Sequence, residues 1–131
     1  FGKEKIIIKA YTLETILAEK YETILRRSVL SSRPRDLYDV HTLFRLKKDQ
    51  ISTPTLKKAI ENTARRRGSS SILAHYESVV YELIDSEYQK RLWEKYQNEN
   101  SYAKGIQFND AVETVKIIGD LLKTSDRLGF H

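Results

Sequence analysis

The sequence predicts a mainly α-helical fold, a bundle of about five to six helices with one short N-terminal strand. Three observations lead there. Apolar residues recur every three to four positions through most of the chain, the period at which one face of a helix meets a core. The breaks between those stretches hold helix start and stop residues, among them Thr12, Pro34, Pro54 and Gly68. One segment alone, Lys3 to Lys9, alternates with the period of a strand.

That strand sets Ile6 and Ile8 against Lys5 and Lys9, and Ile7 adds a β-branched residue. A lone strand leaves its backbone groups unpaired, so it pairs with another copy or belongs to a sheet missing from this sequence. The first helix starts after Thr12, an N-cap with Glu14 in the first turn, and runs to about Leu30. Ser31-Ser32-Arg33 breaks the chain. Pro34 then suits the first position of a second helix reaching about Lys48. Thr53-Pro54 opens a third, closed by Arg65-Arg66-Arg67-Gly68, cations in the last turn followed by a C-cap glycine. Ile72 to about Leu83 is expected to be helical, with a break near Asp85. Glu87 to Asn98 follows, with Leu92, Trp93 and Tyr96 as apolar anchors. A polar loop to Gly105 leads to the last helix, Phe108 to Leu122, which buries Ala111, Val112, Val115, Ile118, Leu121 and Leu122.

Composition restricts the class. With 131 residues, 40% hydrophobic and 31% charged, the chain reads as one soluble domain able to bury roughly two-thirds of its unfolded surface. No apolar run approaches the ~20 residues of a membrane span, and no signal-peptide core is present. The absence of cysteine excludes disulfides and thiolate metal sites and suits a reducing, cytoplasmic location. His41, His75 and His131 are too scattered for a metal site. The net charge of +5 lies wholly in residues 1–48, which hold eleven Lys/Arg against six Asp/Glu, while the remainder balances at twelve against twelve. A nucleotide or a nucleic-acid backbone suits that excess, although solvated helix faces carry such imbalances too.

Within this basic part, Leu13, Ile16, Leu17, Ile24 and Leu25 form one helical stripe, and Lys20 projects from it. Burying an ammonium costs several kcal/mol unless it is paired, so Lys20 calls for an anionic partner. Asp36 and Asp39, at i,i+3 spacing near the start of the second helix, share one face. Plain structural roles also exist. Lys20 could snorkel and pair with Glu19 or Asp39, Asp36 is favoured in a first turn by the helix dipole, and Asp39 could sit on a helix face or accept from a tyrosine.

The pattern Tyr11-x-Leu13-Glu14-x-Ile16-Leu17-Ala18-Glu19-Lys20, followed by Arg33-x-Arg35-Asp36-Leu37-Tyr38-Asp39-Val40, resembles the AbiEii/AbiGii-type nucleotidyltransferase toxins of abortive-infection and toxin–antitoxin systems, which serve in phage defence. Trp93-Glu94-Lys95-Tyr96 and the last helix resemble that family's C-terminal helices. Family members join an α/β core, with a Gly-Ser motif and paired metal-holding acids, to a helical half that adds a lysine and an aspartate to the same cleft. Neither Gly-Ser-x-x-x-Arg nor Asp-x-Asp occurs in this sequence. The resemblance therefore implies the C-terminal helical part alone, residues 12–131, with residues 1–11 as the last strand of the core, and no transfer by this part in isolation.

By that resemblance Lys20 binds nucleotide phosphates, Asp36 is the first choice for the catalytic carboxylate, and Asp39 is the second. Arg33 and Arg35 hold phosphate oxygens, although lysine is commoner in the family at Arg35. Glu19 is expected to pair with one of these arginines. The complete enzyme would move a nucleoside monophosphate from a nucleoside triphosphate to an acceptor such as tRNA, with Mg²⁺ stabilising phosphoryl charge. A cognate antitoxin, acting directly or indirectly, is the expected partner, and an exposed cut face could make a homodimer.

The competing class is a self-sufficient helical module for RNA or a protein partner, which would pair the Lys3–Lys9 strand within itself or across a dimer. Arg65-Arg66-Arg67 could touch RNA phosphates, but a solvated helix end is the stronger reading. Tyr81, Tyr88 and Tyr96 are expected to pack rather than stack on bases, Trp93 to anchor the core, and His41 to be packed.

Overall fold

In the computed structural model, which describes residues 12–128 and side chains as far as Thr124, the chain folds as a mainly α-helical bundle. The expected strand, and with it the 1–11 segment, lies outside the described residues. Among the described residues six α-helices follow one another: α1 (Leu13–Arg27), α2 (Pro34–Leu46), α3 (Thr53–Arg67), α4 (Tyr76–Ile84), α5 (Glu87–Glu99) and α6 (Phe108–Leu128). Short 3-10 turns at Ser28–Leu30, Lys48–Gln50, Ser70–His75 and Ser101–Ala103 fill most of the connections.

The helix starts follow the capping chemistry. Thr12 accepts the Thr15 backbone N–H on its hydroxyl, Ser52 does the same for Thr55, and Ser86 for Gln89. Pro34 occupies the first turn of α2 and Pro54 that of α3. Gly68, at φ 72°, ends α3 in the left-handed conformation that a side chain disfavours. At the end of α1, Ser28 takes φ 47°, so the α-helix stops at Arg27, and the residues to Leu30 tighten into a 3-10 turn instead of continuing it. The expected helix from Ile72 begins only at Tyr76. The residues before it form the 3-10 turn Ser70–His75, and Ser69 donates its hydroxyl to Glu22 at 2.6 Å.

α1 packs against α2 on one side and α3 on the other, and α6 crosses α2, α3 and α4. Leu17, Ala18, Tyr21, Ile24 and Leu25 form the α1 face of the core and meet Leu37, Val40 and Phe44 of α2, Leu56 and Ile60 of α3, and Val112, Val115 and Ile118 of α6. Each large apolar side chain taken from water contributes about 1.5–3 kcal/mol. This buried face is rotated from the stripe drawn on the sequence, because Ala18 and Tyr21 belong to it. Ile16 is left partly exposed and Lys20 at its edge. Trp93 is buried and donates its indole N–H to the Ile106 carbonyl at 3.0 Å. Tyr96 packs as expected, whereas Tyr81 and Tyr88 are exposed because they lie on the outer faces of α4 and α5.

Candidate functional site

α1 and α2 bring together all five residues singled out from the sequence. Lys20, half-buried at the edge of the α1 core face, donates to Asp39 Oδ2 at 2.9 Å, and its ammonium stands 4.0 Å from Asp36 Oδ1. The nearest Arg33 nitrogen, Nε, is 3.7 Å from Asp36 Oδ2, and Arg35 Nε is 3.9 Å from Asp39 Oδ2. The i,i+3 spacing that puts both carboxylates on one face of α2 is what lets a single ammonium meet both. Asp36 is buried in the first turn of the helix, and its Oδ2 accepts no hydrogen bond among the described residues. An acceptor held this way, with a guanidinium just beyond hydrogen-bond range, is expensive to keep unless something donates to it.

A cleft of about 320 Å³ opens over this cluster. Lys20, Arg33 and Asp36 line it, together with Glu19, Thr23 and Arg67. Asp39 and Arg35 are not part of that lining and reach it through Lys20. A second groove of about 560 Å³ runs between α1 and α3, shares Thr15 and Glu19 with the first, and is walled by Lys58, Asn62 and Arg66.

The end of α3 corrects two expectations. Glu19 pairs with neither Arg33 nor Arg35; its carboxylate is gripped by Arg66 and Arg67, each at 3.1 Å. The three-arginine turn is therefore not simply solvated. Arg67 also donates to Glu22 at 2.6 Å and to the Thr23 hydroxyl at 3.0 Å. Glu22 is fully enclosed and receives Arg26 and the Ser69 hydroxyl as well. Burial pushes the Glu22 carboxyl upward, but the hydrogen bonds from Ser69, Arg67 and Arg26 outweigh it, and its pKa lies below the ordinary glutamate value. Two acids three residues apart on the first helix, opposite a run of arginines ending the third, were the available signal for this contact.

His41 is packed, as expected. Its Nδ1 shares a 2.7 Å hydrogen bond with the Thr114 hydroxyl on α6. Burial, followed by the repulsion of Arg45, holds its pKa below the usual histidine value despite the opposing pull of Asp110.

Among the described residues the donors do not fit a resident Mg²⁺. Both aspartates of the cluster are already engaged by cations, and nowhere do three or more His, Cys, Asp or Glu side chains gather.

The described residues thus present a lysine, an enclosed aspartate and flanking arginines at an open cleft, and the class of the protein comes from its family. Residues 2–114 match the family described as nucleotidyl transferase AbiEii toxin, Type IV TA system, and the chain belongs to that family. Membership in a toxin–antitoxin family implies an antitoxin partner. No curated protein and no solved structure matches the chain. Among the described residues no helix is long and apolar enough to cross a membrane.

Proposed function

We propose that this domain supplies the phosphate-holding wall of a nucleotidyl-transfer cleft, with Lys20 as the cationic contact to a nucleoside triphosphate and Asp36 as the carboxylate that takes the proton of the attacking hydroxyl. The observation that carries the reading is the Lys20 ammonium, fixed by Asp39 at 2.9 Å in a cleft whose lining also includes Arg33 and the buried Asp36. An ammonium is a compact donor whose charge is felt most by phosphate oxygens as they gain charge in transfer. Asp39 orients it. Arg33 adds a second cation beside the cleft, and Arg35 restrains Asp39 from the solvent side. Asp36 Oδ2, enclosed beside Arg33 and accepting no hydrogen bond among the described residues, is the oxygen this reading assigns to the proton.

The acceptor in this reading is an RNA hydroxyl, tRNA included. Mg²⁺ would be held by acidic residues outside the described set, in a core joined to this domain, and such a metal would stabilise phosphoryl charge. The test uses protein translated from its complete reading frame, given α-labelled nucleoside triphosphates and total bacterial RNA. Transfer of label is expected for the unaltered protein. Asp36→Asn should lower kcat by about 10²–10³-fold with little change in KM for the nucleotide, whereas Lys20→Ala should raise that KM. Undiminished transfer by both variants would sink the proposal.

A further inference from the structure

We infer that Arg66 and Arg67 form an oxyanion site where the Lys20 cleft adjoins the α1–α3 groove, with Arg67 in the lining of the first and Arg66 in that of the second, occupied in the free protein by the side chain of Glu19 and taken over by a phosphate group of a bound polyphosphate. The inference rests on the reading of the cleft as phosphate-binding and adds to it a site on a third helix. Its basis is the division of labour within one guanidinium. Arg67 Nη1 is tied to the enclosed Glu22 at 2.6 Å and to the Thr23 hydroxyl at 3.0 Å, contacts that fix the side chain in place. Its other terminal nitrogen, Nη2, donates among the described residues to the Glu19 carboxylate alone, at 3.1 Å. Arg66 Nη2 meets the second oxygen of that carboxylate, also at 3.1 Å.

Two guanidiniums gripping the two oxygens of one anion is the arrangement that selects carboxylate and phosphate groups. The two carboxylates differ in how firmly they are held. Glu22 is wholly enclosed, while the Glu19 side chain is 37% exposed and can swing to solvent. Glu19 also immediately precedes Lys20 in sequence, and Glu19, Lys20 and Arg67 line the same cleft. A polyphosphate contacting Lys20 at one end therefore has a preformed, exchangeable site at the other. Its greater charge favours it over a single carboxylate.

The probe is inorganic tripolyphosphate, titrated calorimetrically at low salt into the full chain and into Lys20→Ala, Arg66→Gln, Arg67→Gln and Glu19→Gln. Arg67→Gln is expected to weaken binding about tenfold, the value of one charge-assisted contact, and Arg66→Gln by less because it is more exposed. Since Arg67 also holds Glu22, its loss could act through the fold. Glu19→Gln answers that difficulty, because removing the competing charge is expected to tighten binding, about threefold or more, and misfolding does not raise affinity. Unchanged affinity in Glu19→Gln together with Arg67→Gln would overturn the site, even with Lys20→Ala weakened as the phosphate reading requires. Loss in Arg67→Gln with gain in Glu19→Gln, and no effect of Lys20→Ala, would support this site and count against Lys20. An Arg67 dependence seen with oligouridylate but not with tripolyphosphate would overturn the polyphosphate assignment in favour of a diester backbone. Absence of any tripolyphosphate binding to the unaltered chain would overturn both.

Discussion

A partly exposed ion pair such as Lys20–Asp39 adds no more than about 1 kcal/mol to stability. Removing it with Lys20→Ala should accordingly leave the urea midpoint nearly unchanged while nucleotide binding falls, a separation that a purely structural lysine would not show. Titration of two enclosed groups makes a different prediction. His41 has a folded pKa below 6.5, so the fold prefers its neutral ring; its contribution is complete above pH 6.5 and is lost as pH falls through the lower folded value. Glu22 has a folded pKa below 4.5, and its contribution is complete above 4.5 and is lost on further acidification. Urea midpoints measured from pH 7 to pH 3 should decline in those two windows, and His41→Asn should abolish the first. The shared face of Asp36 and Asp39 was legible in their i,i+3 spacing, whereas Lys20 was joined to them through the family resemblance, because only the packing of α1 on α2 decides that the ammonium meets both. The Glu19 contacts were not legible either. Arg66 and Arg67 lie 47 and 48 positions further along, and only the packing of α3 on α1 decides which acid they meet.

Helix boundaries were legible wherever a side chain caps its own helix, as at Thr12, Ser52 and Ser86, and at Gly68. They were not legible before α4, where the chain forms the 3-10 turn Ser70–His75 ahead of the helix. Likewise the end of α1 depends on a serine at positive φ, which no residue type announces. The contact between α4 and α6 is close enough to require a glycine. A methyl group placed on Gly119 would stand 2.2 Å from the Tyr76 ring. That ring has little room to retreat, because its hydroxyl donates to Asp120, the next residue of α6. Gly119→Ala should therefore destabilise the protein by about 1–3 kcal/mol, despite its better helix propensity, as overpacking does. A lowered thermal midpoint would show it. Gly68→Ala should cost about 1 kcal/mol through backbone strain alone, since nothing crowds that position.

Across the whole molecule, one core joins all six helices, with α1 between α2 and α3 and α6 crossing three of its neighbours. Unfolding should then be a single event. Far-UV circular dichroism, which reads every helix, and emission from Trp93, the single tryptophan, should trace coincident urea curves; separated midpoints would show that α5 melts by itself. The same connectedness bears on the cleft through Gln89. Its side-chain amide, at the start of α5, donates to the carbonyls of both Val29 and Ser31, at 2.9 and 2.8 Å, in the link between α1 and α2. Those two helices carry Lys20 and Asp39 respectively. The spacing of the charged pair thus hangs on a neutral side chain that does not line the cleft. If the cleft acts as proposed, substitutions at α5 would alter its rate while every charge in the cleft stays as it is, a way to attenuate an activity by degrees rather than abolish it.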